Sequence, residues 1–196
     1  MIQTIIFDFG GVVSVGKFFP VVAENISKRF EISKELLQSN LYSHEEKYMR
    51  GIDSTEVFWK NVCKDLNVPL EEFTQIFATS YTLNQGVVEL ITKLGQNYQV
   101  ILHSDNFEAL SLNLRKDPLL KDLFERVYFS NEIHLVKSEE AAFRHILSDL
   151  GREAGECVFI DDKEKNLLIP KNIGINTVLF KTIEQLKKDL ASLGVV

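Results

Sequence analysis

TIIFDFGGVV, residues 4–13, is the stretch on which the reading of the chain turns. Thr4 to Phe7 is a short apolar run rich in β-branched residues, the pattern of a buried strand. Asp8 ends the run, because burying a lone carboxylate is expensive. Gly10 and Gly11 follow at once and admit backbone conformations closed to other residues. An acid on a strand tip beside such a turn suits a nucleophile or a metal ligand, since open α/β sheets bind ligands beyond the carboxyl ends of their strands. A single Asp at a strand end is more commonly a turn former, so the rest of the chain has to decide.

After the turn the pattern is helical up to residue 83, with no strand signal. PVVAENISKRF carries Val21, Val22, Ile26 and Phe30 at helical spacing. ISKELLQSNLY continues it with Ser33 as N-cap, and SHEEKYMRG predicts a separate short helix ended by Gly51. Asp53 or Ser54 caps STEVFWKNVCKDLNV, whose apolar stripe is Val57, Phe58, Val62 and Leu66, and Pro69 opens PLEEFTQIFATSY. Phe19, Phe30, Phe58, Trp59, Phe73 and Phe77 are available as the core of this region; aromatics at helical spacing are packing before they are a cofactor box.

Strand and helix alternate from there on. GVVELITKLGQ is a helix, and YQVILHS is a strand ending at Ser104, Asp105 and Asn106. FEALSLNLRK is a helix stopped before Pro118, and RVYFS is a short strand. SEEAAFRHILSDLG is a helix with Ser138 as cap and Gly151 beyond its end. ECVFIDD is a strand ending in Asp161 and Asp162. EKNLLIPKNIG is a helix disturbed by Pro170, INTVLF a last strand and TIEQLKKDLASLG a last helix. This alternation implies an α/β fold, a Rossmann-like parallel sheet with helices on both faces joined by right-handed crossovers. The expected organisation is a core of residues 1–15 and 84–196 with an all-helical cap, 16–83, inserted after the first strand.

Composition bounds the function. With 196 residues there is room for one core and a small lid. The 45% hydrophobic and 26% charged content is that of a globular protein. A formal net charge of −6 and the lack of a Lys/Arg run argue against nucleic acid as the main partner. Cys63 and Cys157 lie far apart without metal-type spacing, which suggests buried thiols in a reducing compartment such as the cytoplasm. Asp8 interrupts the N-terminal apolar run, which also lacks a basic start, so it does not read as a signal peptide. No apolar stretch approaches membrane-spanning length. A small-molecule substrate and a monomer or homodimer are expected.

In a parallel sheet all carboxyl ends point one way, so Asp8, Ser104, Asp161 and Asp162 share a rim. Lys137, in the loop after RVYFS, joins them. Clustered carboxylates repel one another unless a cation sits among them. Oxygen ligands with few imidazoles point to Mg²⁺, which commonly pairs with a substrate phosphate. Lys137 can balance one carboxylate and hold a phosphate oxygen. Ser104 and the backbone N–H groups near it and in the Gly10–Gly11 turn can donate to phosphate. His103 reads as a core histidine.

This ordered set resembles the haloacid dehalogenase-like hydrolase superfamily along the whole chain: FDFGGVV with Asp8, VILHSDN with Ser104, LVKSEE with Lys137, and VFIDDKEKN with Asp161 and Asp162. The helical insertion is similar to that family's small helical cap. The FDxGGV form, MRGIDSTEVF and the closing DDKEKN…NIGINTVLF look most like its sugar-phosphate phosphatases, such as glucose-1-phosphate phosphatases. The resemblance implies a Mg²⁺-dependent phosphatase acting on a small phosphorylated metabolite. Asp8, Ser104 and Lys137 would be catalytic, with Asp8 forming an aspartyl-phosphate. Gly10, Gly11, Ser104, Asp105, Asn106 and Lys137 would bind the phosphate end. Asp8, the Gly10 carbonyl, Asp161 and Asp162 would bind Mg²⁺. One departure matters: Gly10 stands where the family's general acid/base usually lies, a contribution typically worth 10²–10⁴-fold. Either the leaving group needs no help, or a cap residue such as His44, Glu45 or Glu46 delivers the proton, or turnover is lost. The alternatives are accordingly a catalytically impaired phosphate-binding or regulatory module, and a 2-haloacid dehalogenase, against which the acidic pair argues.

Overall fold

The structure, a computed structural model, describes residues 1–16, 18–49 and 52–195. Its centre is a parallel sheet of β1 (Thr4–Phe7), β2 (Gln99–Ser104), β3 (Arg126–Phe129), β4 (Cys157–Asp161) and β5 (Asn176–Leu179), in the order β3-β2-β1-β4-β5. Every residue of β1 and β4 is buried, which is why these strands read as continuous apolar runs rather than alternating ones. The two-residue period still sorts side chains by face: Ile5 and Phe7 join one core cluster with Leu102 and Ile160, and Ile6 joins another with Ile101 and Phe159.

Beyond β1, residues 9–13 form a wide loop closed by the Ser14 N–H on the Phe9 carbonyl at 2.8 Å. The chain leaves beside the segment by which it returns. Val15 N–H donates to Thr82 O at 2.7 Å and Asn84 N–H to Val13 O at 2.8 Å. Between these points lie α1 (Phe18–Phe30), α2 (Lys34–Met49), α3 (Thr55–Leu66) and α4 (Leu70–Thr79). They enclose a separate cluster that includes Val22, Ile26, Leu37, Phe58, Trp59, Phe73 and Phe77. Phe107, just after β2, reaches into it and stacks on Tyr48 and Phe58 at centroid distances of 5.6 and 5.2 Å. The sheet is covered by α5 (Gln85–Leu94), α6 (Glu108–Lys116), α7 (Pro118–Lys121), α8 (Ser130–Ile133), α9 (Glu140–Leu150), α10 (Glu164–Asn172) and α11 (Ile183–Ser192).

Several local expectations are corrected. The two helices read across residues 32–49 are one, α2, capped by Ser33, whose Oγ accepts from Leu36 N–H at 3.2 Å. Gly51, expected to end it, lies outside the described residues. Val21 and Val57, counted in apolar stripes, are exposed. Ser138 does not cap α9; the cap position is Glu139. The short helices α7 and α8 carried no periodic signal, being a single turn each. Ser54 caps α3, accepting from Val57 N–H at 3.3 Å. Both cysteines are buried, and burial pushes each thiol up to about 11, so neither is poised as a nucleophile. Among the described residues no helix is long and apolar enough to cross a membrane.

The contrast between neighbours on α3 is testable. Phe58 is fully buried and Val57 is 44% exposed. In chemical denaturation Phe58→Ala should cost about 3–5 kcal/mol, while Val57→Ala should stay within about 0.5 kcal/mol.

Candidate active site

The register of β1 builds the site. Asp8 follows β1 and donates its N–H to the Ile160 carbonyl at 2.9 Å, so its side chain emerges beside that of Asp161 at the end of β4. On the other flank Phe7 pairs with Leu102, which brings Ser104 to the same rim. The chain order reverses across β1, the place where an open α/β sheet forms a crevice.

Lys137 arrives from a turn between α8 and α9. Glu139 N–H closes the turn on Val136 O at 2.9 Å, and the Glu139 carboxylate accepts from Val136 N–H at 3.3 Å. Asp105 fixes the lysine's backbone, accepting its N–H at 3.1 and 3.3 Å. The Lys137 ammonium then donates to Asp161 Oδ2 at 2.9 Å and to Asp8 Oδ1. The three side chains are closed off from solvent, with Lys137 3%, Asp8 4% and Asp161 0% exposed. Asp8 is therefore buried after all, because its carboxylate is not alone.

A buried ion pair holds only if its remaining donors and acceptors are satisfied. Asp161 meets this with two further partners: Lys163 N–H at 2.8 Å on Oδ1, and Asn166 Nδ2 at 3.1 and 3.0 Å on its two oxygens. Burial is the largest influence on Asp8 and, with the neighbouring Asp161 charge, outweighs Lys137 to push its carboxyl up to about 6. Burial opposes the charge on Lys137, but the Asp8, Asp161 and Asp105 carboxylates override it and hold the ammonium above its ordinary value. Asp8, Asp161 and Asp162 each present an oxygen within 4.8 Å of the others. Three hard oxygen donors at that spacing suit a small divalent cation, whose charge would offset repulsion that Lys137 offsets only in part.

In front of these groups lies a pocket of about 180 Å³, which brings together Asp8, Gly10, Ser104, Asp105, Asn106 and Lys137. Asn106 contributes its amide: Nδ2 is buried there without a partner among the described residues, while its Oδ1 accepts from Ser104 Oγ at 3.4 Å. Five wall residues were not picked out as site residues from sequence, namely Phe9, then Phe18 and Phe19 from the start of α1, and Lys163 and Asn166. The readable trace of Asn166 was a polar residue in the first turn of the helix that follows the acidic pair.

Gly11 is not on this pocket. It lines a neighbouring cleft with Asp162, and its N–H is shared with Ser14 Oγ at 3.3 Å. The two glycines differ in kind. Gly11 has φ +85°, and a Cβ there would stand 2.5 Å from Asp162 Oδ2. Gly10 has φ −74°, open to any residue, and its Cβ would meet only Phe18 Cβ at 3.7 Å. His103 is fully buried, bonded through Nδ1 to the Tyr128 carbonyl at 3.3 Å. Burial, then the Lys137 charge, pushes its pKa down to about 3.

Known proteins resemble this chain in sequence pattern and fold. The sequence pattern of the haloacid dehalogenase-like hydrolases matches residues 2–174. Flavin mononucleotide hydrolase 1, a chloroplast protein of Arabidopsis thaliana, is 24% identical over 150 residues, 76% of this chain and 61% of its own. Drimenol cyclase drtB of Aspergillus calidoustus is 27% identical over 71 residues, 36% of this chain and 13% of its own. The chain thus spans less than two thirds of either curated relative. Among solved structures, a HAD family enzyme of Bacteroides thetaiotaomicron in complex with magnesium and inorganic phosphate superposes with a TM-score of 0.74 at 21% identity, covering 92% of this chain and 95% of that one. L-2-haloacid dehalogenase of Xanthobacter autotrophicus superposes with a TM-score of 0.70 at 17% identity, covering 100% and 85%. At these identities the likeness is one of fold.

Two outcomes follow from the geometry. Gly11→Ala should lose about 1–3 kcal/mol of stability in denaturant titration, whereas Gly10→Ala should lose less than about 1 kcal/mol. His103, neutral when folded, binds a proton between pH 6.5 and about 3 only when the chain unfolds. This group therefore removes stability as pH falls through that window, by up to about 1.4 kcal/mol per pH unit. A titration of unfolding free energy against pH should be shallower for His103→Gln than for the wild type.

Proposed function

The chain belongs to the haloacid dehalogenase-like hydrolases, and from that premise we propose that it is a Mg²⁺-dependent phosphomonoesterase that cleaves a small phosphorylated metabolite through an aspartyl-phosphate. The observation that carries this reading is the junction of Asp8, Asp161 and Lys137, with Asp162 alongside, of which Asp8 and Lys137 line a pocket bordered by hydrogen-bond donors. Asp8, as the carboxylate, attacks phosphorus and the leaving oxygen departs; water then hydrolyses the acyl phosphate and returns the carboxylate. Lys137, Ser104 Oγ and Asn106 Nδ2 hold the phosphoryl oxygens and offset charge that grows in the transition state. Asp8, Asp161, Asp162 and the Gly10 carbonyl would hold Mg²⁺, which when bound supplies further positive charge at the phosphoryl group.

The pocket's size bears on the substrate. About 180 Å³ is below the 300–1,000 Å³ typical of sites for drug-sized ligands. It suits a phosphoryl group and little more, so the leaving group has to pass Phe18 and Phe19. A phosphorylated sugar can do this with its far end against the helical region, which acts as a cap. A flavin mononucleotide, the substrate in the Arabidopsis relative's name, would need that region to open. Gly10 favours a second reading, carbon–halogen hydrolysis, but the gathering of three carboxylates, Asp8, Asp161 and Asp162, suits a metal-assisted reaction better than a metal-free one.

Phosphate release from p-nitrophenyl phosphate and a panel of sugar phosphates tests the proposal. Release should require Mg²⁺, stop in EDTA, and fall by at least about a thousandfold in Asp8→Asn. Halide release from 2-chloropropionate, undiminished in EDTA, would replace the phosphatase reading with the second one.

A further inference from the structure

Residues 104–108 join the pocket to the helical region. Ser104, Asp105 and Asn106 line the pocket. Asn106 is 3% exposed, and its Nδ2 is buried without a partner among the described residues. Its own N–H donates to Ser130 Oγ at 3.0 Å, on the side of the sheet. One residue later the chain changes sides. Phe107 is the N-cap residue of α6, one of the helices that cover the sheet, yet its ring packs into the cluster built by residues 18–79. It meets Phe77 of α4 at a centroid distance of 5.0 Å, Phe58 of α3 at 5.2 Å, Tyr48 of α2 at 5.6 Å and Trp59 of α3 at 5.7 Å. The next residue is tied to the same region, since Glu108 N–H donates to Tyr48 Oη at 2.6 Å.

We infer that Phe107 is a positioning residue: its seat among those four rings fixes Asn106, so that phosphate binding and the docking of the helical region strengthen one another. The inference rests on the phosphatase reading above. It adds to that reading a way for the helical region to govern the phosphate site through Asn106, without itself touching the phosphoryl group.

The geometry leaves Asn106 little freedom of its own. Neighbouring residues share a rigid peptide plane, and the N–H groups of Asn106 and Glu108 are both pinned. A rotation that re-aims the Asn106 amide therefore lifts Phe107 from its seat, and a ring held on several sides has a preferred orientation as well as a preferred burial. Hydrogen bonds weaken steeply as the donor turns away, so a phosphoryl oxygen feels a small rotation. Coupling of this kind is reciprocal: the factor that a seated Phe107 adds to phosphate affinity, bound phosphate adds to the seating of Phe107. Trp59 is the chain's single tryptophan, is 3% exposed and touches Phe107, so its emission reports on that seat.

The experiment titrates inorganic phosphate with Mg²⁺ present and reads both Trp59 emission and inhibition of p-nitrophenyl phosphate cleavage. The variants are Asn106→Ala, Phe107→Leu, Phe107→Ala and Phe73→Ala, with the Asn106→Ala change also combined with each of the other three. Phosphate should shift the emission of the wild type and leave that of Asn106→Ala unchanged even at saturation. Asn106→Ala should weaken phosphate binding about 10–100-fold, the range for a lost hydrogen bond to a charged group. Phe107→Ala should weaken it about tenfold, and Phe107→Leu less, because an apolar side chain still fills the seat. The Asn106→Ala/Phe107→Ala pair should stay within about twofold of Asn106→Ala alone, since both changes remove the same donor. Phe73 is fully buried in the same cluster, with ring contacts to Phe30 and Trp59, and controls for loss of packing alone. Its effect on phosphate binding should multiply with that of Asn106→Ala. Losses that multiply for Phe107→Ala and Asn106→Ala, phosphate binding unchanged in Phe107→Ala, or a Trp59 signal that survives in Asn106→Ala would overturn the assignment. Phe107→Leu carries the same comparison if the alanine variant does not fold. Failure of the phosphatase reading is separable: the wild type would release no phosphate from any ester, or release it regardless of Asp8→Asn.

Discussion

A single ammonium group holds the centre of this molecule together. Lys137 stands between Asp8 and Asp161, 129 residues from the first and 24 from the second. Removing one member of such a buried set leaves the others without a counter-charge, at a cost on the order of 3–5 kcal/mol. The set exists only if β1 and β4 are neighbours and in register, if β2 ends beside them, and if the turn after α8 delivers its lysine inward. Asp105 secures that last condition by gripping the lysine's own N–H. The sheet order, the turn and the burial of two acids are thus one arrangement seen from three sides.

Much of this was legible because it depends on where strands end. Asp8, Ser104, Asp161 and Lys137 each follow an apolar run, and a parallel sheet has to bring such ends together. What the sequence hid was mostly a matter of context. Ser43 opens the stretch read as a separate helix, but its Oγ donates to the Asn40 carbonyl at 2.6 Å, so it is satisfied inside α2. Ser138 looked like a cap because it follows Lys137; the turn that aims the lysine consumes that position instead. Phe19 read as a core aromatic, and it and Phe18 do pack against the helical cluster, yet both also wall the pocket. Asn166 was hidden because a polar residue in a helix's first turn is usually solvated, and here it faces back onto Asp161.

The two glycines after Asp8 separate backbone need from chemical vacancy. Gly11 is required by a left-handed backbone and by the close approach of Asp162. Gly10 adopts an ordinary conformation, and a Cβ there would meet Phe18 only at an ordinary 3.7 Å, so neither the turn nor its neighbours require glycine. On the reading proposed, the sheet supplies attack and charge stabilisation, while the helical region borders the pocket through Phe18 and Phe19. The place where those two bodies meet is the segment from Ser104 to Glu108, held on one side by Ser130 and on the other by Tyr48.

The position of β1 in the middle of the sheet has a consequence for how the chain comes to exist. Its partners are β2 and β4, and the side chain of Gln3, just before β1, bonds to Glu156, 153 residues later. At 5–20 residues per second, synthesis of that interval takes roughly 10–30 s. For more than half of that time β1 has emerged with neither neighbour, and for all of it β4 is missing. The helices of residues 18–79 rely on nearer contacts and can collapse first. The nascent chain therefore carries the central strand of its sheet at the front and completes that sheet only near its end.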